Sequence, residues 1–445
     1  MVYIPGPDGS DRPDSRGPEN ALGLSVPEAL VRTLDHASAV CAPFFQRAEE
    51  ISEINQAKVL RAFQRSRVGE IHLQGTTGYG YGDIGREALE VLFAELMGTE
   101  QALVRTQIVS GTHALAIGLL GNLSAGDELI CAAGRPYDTL LKVVGTGGEA
   151  GSLIRQGVVY REIPLTGSGD MDLDSLTEAL SPKTKIVLFQ RSKGYQWRPS
   201  YSLSRIGQGI RAVKGAFPHV ICMVDNCYGE FVEPLEPGAY GADLVAGSLI
   251  KNPGGTLALN GGYLAGKGDL VENSAIRLTA PGVGREVGAS LNFNRWAFHG
   301  LFIAPVMVAQ AVKGAVLAAR FFQELGYPVL PLPEEPRSDI IQAVRLGTPE
   351  ALKAFCLGIQ KASPLNSNFT PVPDLLPGYA DEVIMAGGTF IQGSSIELSA
   401  DGPMRPPYNV FLQGGMGLGH IKTGLALAAS LVGHVPARHS GSSPE

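Results

Sequence analysis

The chain has 445 residues, 44% hydrophobic and 18% charged, with a formal net charge of −7. That is the composition of a soluble globular protein, long enough for two or three domains and a sizeable buried core. The acidic balance and the lack of a basic patch argue against a nucleic-acid partner. Five cysteines without a C-x-x-C pair fit a reducing, cytoplasmic setting in which Cys222 and Cys227 are buried thiols rather than a disulfide.

In chain order, residues 1–24 are polar and rich in Pro and Gly, which predicts a disordered N-terminal segment without the basic start and apolar core of a signal peptide. Residues 25–70 form an N-terminal helical segment. From Pro27 to about Arg67, Leu30, Leu34, Val40 and Phe44, then Ile51, Ile54, Val59 and Phe63, recur at spacings near three and four, with Ser25 as a start signal. "LQGTTGYGYGDIGREALE" is a glycine-rich loop running into a helix that continues to about Met97. The chain then alternates. "ALVRTQIV", "DELICAA", "VVYREIPL", "TKIVLFQ", "VICMVD" and "ADLVAGSLI" read as strands, separated up to "VICMVD" by helices. Short Val/Ile/Leu runs alternating with helices predict βαβ units and a largely parallel sheet, here a large α/β domain over residues 71–299. "GLFIAPVMVAQAVKGAVLAARFF" is the nearest approach to a membrane span, but Pro305, Gln310 and Lys313 interrupt it, so a long buried helix is expected and no membrane partner. Residues 300–435 comprise this linking helix and a smaller C-terminal α+β domain, built from "YPVLPLP", "IIQAVRL", the helix "PEALKAFCLGIQKAS", "EVIMAGGTFI" and "SSIELSA". Residues 436–445 form a loose tail, and no repeat of fixed period is present.

Ligands in open α/β sheets bind outside the carboxyl ends of the strands. Lys251 follows "LVAGSLI" and precedes "NPGG". It reads either as a surface-loop lysine or as a buried amine able to form a Schiff base. Ser110, Gly111 and Thr112 follow "TQIV" and open a helix; they read either as a simple cap or as an anion site suited to phosphate. Asp225 ends "ICMVD", where it either caps a turn or partners a cation such as the pyridinium nitrogen of pyridoxal phosphate. No dinucleotide fingerprint, P-loop or nucleophile elbow occurs. The eight histidines show no metal-ligand spacing, and His113 reads as a packed helix residue, so no metal is expected.

Phosphate turn, strand-end acid and strand-end lysine follow one another in the order of fold-type I pyridoxal-phosphate enzymes. With "TTGYGYGDIGRE", "PYDTL", "QRSKGYQWRPS", "VDNCYGEFVE", "GADLVAGSLIKNPGG" and "SSIELSADGPMRPPY", the chain resembles the methionine gamma-lyase-like, or aluminium resistance, family of the cysteine/methionine-metabolism group, over about residues 70–412. The resemblance implies a large domain with a mostly parallel, seven-stranded-type sheet that binds pyridoxal 5′-phosphate. It also implies roles for individual residues. Lys251 is the Schiff-base lysine, Asp225 the ring-nitrogen partner, and Ser110, Gly111, Thr112 and Ser248 the phosphate contacts. Tyr137 stacks on the ring and relays protons. Tyr81 and Arg86 reach across a dimer interface to the neighbour's phosphate. Gln190, with Arg191, replaces an asparagine-containing segment at the cofactor's ring oxygen. Arg405 clamps the substrate carboxylate, the alternative being a surface-turn arginine. The activity so implied is β- or γ-elimination of a sulfur leaving group from a small amino acid, in a homodimer or homotetramer. The alternatives are aminotransfer, replacement or racemisation on the same cofactor, or a cofactor-binding regulatory or metal-resistance protein with little catalysis.

Overall fold

A computed structural model describes residues 26–433. The expected disordered segment, the Ser25 start signal and the tail lie outside the described residues. The helical N-terminus is two helices, α1 (Glu28–Val40) and α2 (Ala42–Arg65), and not one. The break falls at Cys41, where Pro43 takes the first turn of α2, a position that tolerates its missing N–H. The glycine-rich loop leads into α3 (Ile84–Met97).

The alternating region yields β1 (Gln101–Arg105), α4 (Gly111–Asn122), β2 (Glu128–Cys131), α5 (Asp138–Val144), β3 (Val159–Glu162), α6 (Leu173–Ala179), β4 (Thr184–Gln190), α7 (Leu203–Ala216), β5 (Ile221–Asp225), β6 (Leu244–Ser248), β7 (Gly262–Gly266) and α8 (Gly268–Leu278). The seven strands form one sheet in the order β1-β7-β6-β5-β4-β2-β3. β6, β5, β4, β2 and β3 are mutually parallel, and β7 is antiparallel to both its neighbours. This is the mostly parallel α/β architecture expected. The central strands are apolar on both faces because both are covered. Val187, Phe189, Cys222 and Val224 enter one buried cluster, while Ile186, Leu188, Ile221 and Met223 enter another. β7 and α8 carry no such run of Val and Ile in sequence and were not expected as elements.

α9 (Phe293–Glu324) is the long apolar helix. It begins seven residues before the expected start, and 72% of its most apolar window is buried inside the molecule. β8 (Val329–Leu330), β9 (Ile341–Arg345), α10 (Pro349–Lys361), β10 (Val383–Ala386), β11 (Ser399–Pro403), β12 (Asn409–Gln413) and α11 (Leu418–Gly433) complete the fold. The five strands make a second, antiparallel sheet in the order β10-β11-β12-β9-β8. β12 and α11 were not expected, and β11 overlaps only the last two residues of the run "SSIELSA", beginning at Ser399. α11 escapes pattern reading because its Gly/Ala/Leu sequence is apolar around most of its girth. One face of this sheet packs on α10, α11 and the end of α9 through Val344, Leu398, Ala400, Val410 and Leu412. By the two-residue period of a strand, Ile341, Ala343, Asp401, Phe411 and Gln413 belong to the opposite face.

α9 also backs the turn after Lys251. A Cβ on Gly300 would stand 2.1 Å from the Gly254 carbonyl oxygen, and one on Gly255, whose φ is +52°, would stand 2.3 Å from the Gly300 carbonyl oxygen. Both obstacles are backbone, so the two glycines of "NPGG" form a seat with no room for side chains of their own. We predict that Gly300→Ala lowers stability by about 1–3 kcal/mol through overpacking. Gly215→Ala, in α7 with open space around its Cβ position, should raise stability by up to about 1 kcal/mol. Denaturant unfolding of the two variants reads the opposite signs.

Candidate functional site

The carboxyl ends of β4, β5 and β6 lie side by side, with Gln190 in register with Asp225, and Asp225 with Ala246. The chain therefore delivers Gln190, Asp225 and Ser248 to one edge of the sheet, and Lys251 three residues later. From β1 the chain returns through Ser110 into α4. Ser110 caps this helix by accepting the His113 N–H at 3.0 Å. The N–H groups of Gly111 and Thr112 have no acceptor among the described residues and so remain available to an anion. The helix start sits directly on the sheet edge: a Cβ on Gly111 would meet Cys227 Sγ at 2.9 Å and Ser248 Cβ at 3.4 Å. His113 accepts the Val109 N–H through Nδ1 at 3.2 Å and stays in the helix packing, as expected.

Lys251 is partly exposed to a cleft but enclosed by protein on most sides. It has no ion pair among the described residues, and its Nζ stands 3.7 Å from the centre of the Tyr228 ring. Burial opposes the charge on its amine. The acidic groups around it (Cys227, Tyr228, Asp225 and Tyr137) outweigh burial and hold it well above the ordinary lysine value. Burial pushes the Asp225 carboxyl up, against the pull of Lys251 and hydrogen bonds from Cys227, whose N–H donates to Oδ1 at 3.1 Å. Tyr228 has φ +71°, a left-handed conformation that costs an aromatic residue on the order of 1–3 kcal/mol and persists only where surroundings enforce it. Sequence reading passed over Tyr228; its only signal was its place in "DNCYGE" beside Asp225.

Tyr137 precedes α5, and its hydroxyl lies 3.2 Å from Thr112 Oγ1. Burial, with Asp225 nearby, raises its phenol well above the ordinary value, so it is a neutral proton donor at pH 7. Gln190 is tied to the backbone at both ends of its amide. Oε1 accepts the Tyr137 N–H at 3.1 Å and Nε2 donates to the Ser192 carbonyl at 2.9 Å, so its role is to fix Tyr137. Above these groups lies the free face of the second sheet. Tyr195, from the loop after β4, contacts Phe411 and Tyr379 with ring centres 5.3 and 6.0 Å away. Asp401 and Gln413 complete that wall, joined by a 3.0 Å hydrogen bond.

Three expected site residues stand elsewhere. Arg86 is buried, and Nη1 donates to the Gly80 and Gly288 carbonyls at 2.8 and 2.9 Å. Its guanidinium locks the glycine-rich loop of its own chain. Tyr81 is exposed on that loop and stacks obliquely with Tyr79. Arg405 lies in the turn beyond β11, half-exposed, with Nη1 2.5 Å from Asp381 Oδ2. Its partner is this surface carboxylate, so the surface-turn alternative describes it. Arg191 and Arg198, nearer the sheet edge, are also engaged. Arg191 binds Asn226, the Gly229 carbonyl and Glu233, and Arg198 binds the carbonyls of Gln190, Ser192 and Pro199. A second buried lysine, Lys193, is pushed down to about 8 by burial, but it is fully enclosed and donates to the Leu330 carbonyl.

The arrangement suits a ligand with an anionic group for the α4 N-terminus, a flat cationic ring for Asp225 and Tyr137, and a carbonyl for Lys251. A family model described as methionine gamma-lyase matches residues 30–432. The uncharacterized protein YnbB of Bacillus subtilis is 50% identical over 407 residues, 91% of this chain and 97% of that protein. The structure of a carbon–sulfur lyase involved in aluminum resistance from Clostridium novyi superposes with a TM-score of 0.87 at 42% identity, over 91% of this chain and 96% of that one. YhfS of Escherichia coli, a pyridoxal-5′-phosphate-dependent protein, shares the fold at 17% identity, with a TM-score of 0.59 over 87% of this chain and 97% of that one. The fold is that of the fold-type I pyridoxal-phosphate enzymes.

The loop that Arg86 pins depends on Asp83. This carboxylate caps α3 through the Arg86 N–H at 2.9 Å and accepts from Thr76 at 2.6 Å, from Ser290 and from Asn294. Burial alone would raise its pKa, but these hydrogen bonds overcome burial and bring it down to about 2. A depressed carboxylate stabilises the fold above its unfolded pKa and loses that contribution as pH falls through the folded one. Asp83→Asn should therefore cost about 1–2 kcal/mol at pH 7. The difference from wild type should close between about pH 4 and pH 2, read by denaturant titration across that range.

Proposed function

We propose that this chain, which belongs to the methionine gamma-lyase family, is a pyridoxal-phosphate-dependent carbon–sulfur lyase acting on a sulfur-bearing amino acid. The observation that carries this reading is the enclosed Lys251 gathered in one cleft with Asp225, Tyr137 and the open start of α4. The residues fit the cofactor. The N–H groups of Gly111 and Thr112, with Ser248, would hold its phosphate. Asp225 would hold its ring nitrogen, Tyr137 would lie against its ring, and Lys251 would take its aldehyde carbon. Bound there, the cofactor supplies an electron sink for the carbon bearing the substrate's amine.

The chain's own groups supply the rest. The Lys251 amine would take the proton from the substrate's Cα. Tyr137, kept protonated by burial, stands ready to give a proton to the departing sulfur. Tyr195, Tyr379 and Phe411 offer ring edges and faces of the kind that attract thioethers. Cleavage with water yields a thiol, ammonia and a 2-oxo acid. Tyr79 and Tyr81, 74% and 67% exposed on a loop pinned from within, support assembly of two or four copies through that loop.

The purified chain should carry a visible absorption band that borohydride traps on Lys251. Lys251→Ala should lose the band and Lys193→Met should keep it. Tyr137→Phe should retain the cofactor while thiol release falls roughly a hundredfold or more. A protein that binds the cofactor yet turns over no amino acid would decide for the regulatory alternative. By light scattering we expect a dimer or tetramer, which Tyr79→Ser combined with Tyr81→Ser should weaken; an active wild-type monomer would refute the assembly.

A further inference from the structure

The cleft holds a second ionisable centre that elimination at Cα leaves unused. Asp401 projects from the free face of β11, because its neighbour Ala400 is buried against the helices on the other side. It is directly opposite Phe411 on β12. One carboxylate oxygen accepts from Gln413 Nε2 at 3.0 Å, and the Tyr195 phenol lies close enough to favour the charged carboxylate. Like Lys251, Tyr195, Tyr228 and Tyr379, it keeps partial exposure while protein surrounds it on most sides, which is how a group lining a deep cleft behaves.

The charges around it do not balance. The groups facing Asp401 are Lys251, Tyr195, Tyr228, Tyr379 and Gln413, while the Cys356 thiol lies behind the sheet in the α10 packing. Lys251 is the one cation among them, and the lyase chemistry engages that amine. Arg191, Arg198 and Arg405 are committed to other partners. What remains is a carboxylate among aromatic rings, with a neutral amide and a phenol for company. Such a group is expensive to keep charged without a cation. Burial pushes it up to about 6, so it still ionises at neutral pH. The rings beside it add a surface that favours cations.

We propose that Asp401 is a specificity-determining residue that receives a cationic group at the far end of the substrate, so that the substrate class is a sulfur amino acid bearing a second ammonium. This rests on the lyase reading of the cleft, and the two are separable by experiment. S-(2-aminoethyl)-L-cysteine and S-propyl-L-cysteine differ by an ammonium in place of a methyl group. Binding of each to the cofactor-loaded full chain would be followed by calorimetric titration, and thiol release in parallel, for wild type and Asp401→Asn.

The expected result is roughly tenfold to hundredfold tighter binding of the aminoethyl compound by wild type. In Asp401→Asn that preference should vanish while binding of the propyl compound holds, which also certifies that the variant is folded. Equal binding of the two by wild type would overturn the proposal. So would a preference that survives in Asp401→Asn, a variant that loses both ligands alike, or a wild type that binds neither. A preference abolished in the variant, with no thiol released from either compound, would retain Asp401 as the selector and overturn the lyase.

Discussion

The constraint on which this site depends is the burial of charge at the carboxyl edge of the seven-stranded sheet. A lysine and two carboxylates sit in one enclosure walled largely by aromatic and aliphatic side chains. Left alone, each would shed its charge. Together Lys251 and Asp225 support one another, but neither forms a close ion pair among the described residues, and the Lys251 amine stands over the Tyr228 ring. A pair kept apart in a low-dielectric cleft can be completed by a ligand placed between its members. That is the physical sense in which Lys251 is more than a loop lysine. Its backbone is fixed from behind, where Gly254 and Gly255 are pressed against Gly300 of α9, so the amine's position is set by rigid elements and not by the loop alone.

Much of this was legible in the chain. Parallel strands buried on both faces write unbroken apolar runs, and β4, β5 and β6 do so. The reactive residues at their ends are therefore located by counting to the end of each run. The start of α4 was likewise visible as a small-residue turn after β1. These inferences succeed because they need only the position of the backbone.

What failed needed the partner of a side chain. Arg86 and Arg405 lie in the motifs that resemblance pointed to, yet one guanidinium is buried against carbonyls and the other is spent on Asp381. Gln190 stands at the strand end as counted, but both ends of its amide are taken by backbone. Asp401 was harder still. It lies in the same motif as Arg405, four residues earlier, and its meaning depends on which face of β11 it occupies. That face is fixed by pairing with β12, a strand that carries no alternation of polar and apolar residues strong enough to announce it, since Phe411 points into the cleft and not into solvent.

The two sheets thus divide the labour. The parallel sheet and α4 bring together the groups that suit the cofactor and the proton transfers. The antiparallel sheet contributes none of these and instead lays its other face across them, with Asp401, Gln413 and Phe411 turned toward them. Phe411 on that face belongs to a small buried cluster with Ile341 and Ala343, but Asp401 is partly exposed and can be substituted without touching the packing on α10 and α11, which the opposite residues, Ala400, Val410 and Leu412, carry. A strand with one face in a core and the other in a cleft lets selectivity vary at odd positions while stability is held at even ones. The chemistry at Lys251 can therefore stay fixed while the choice of substrate is rewritten from β11 and β12.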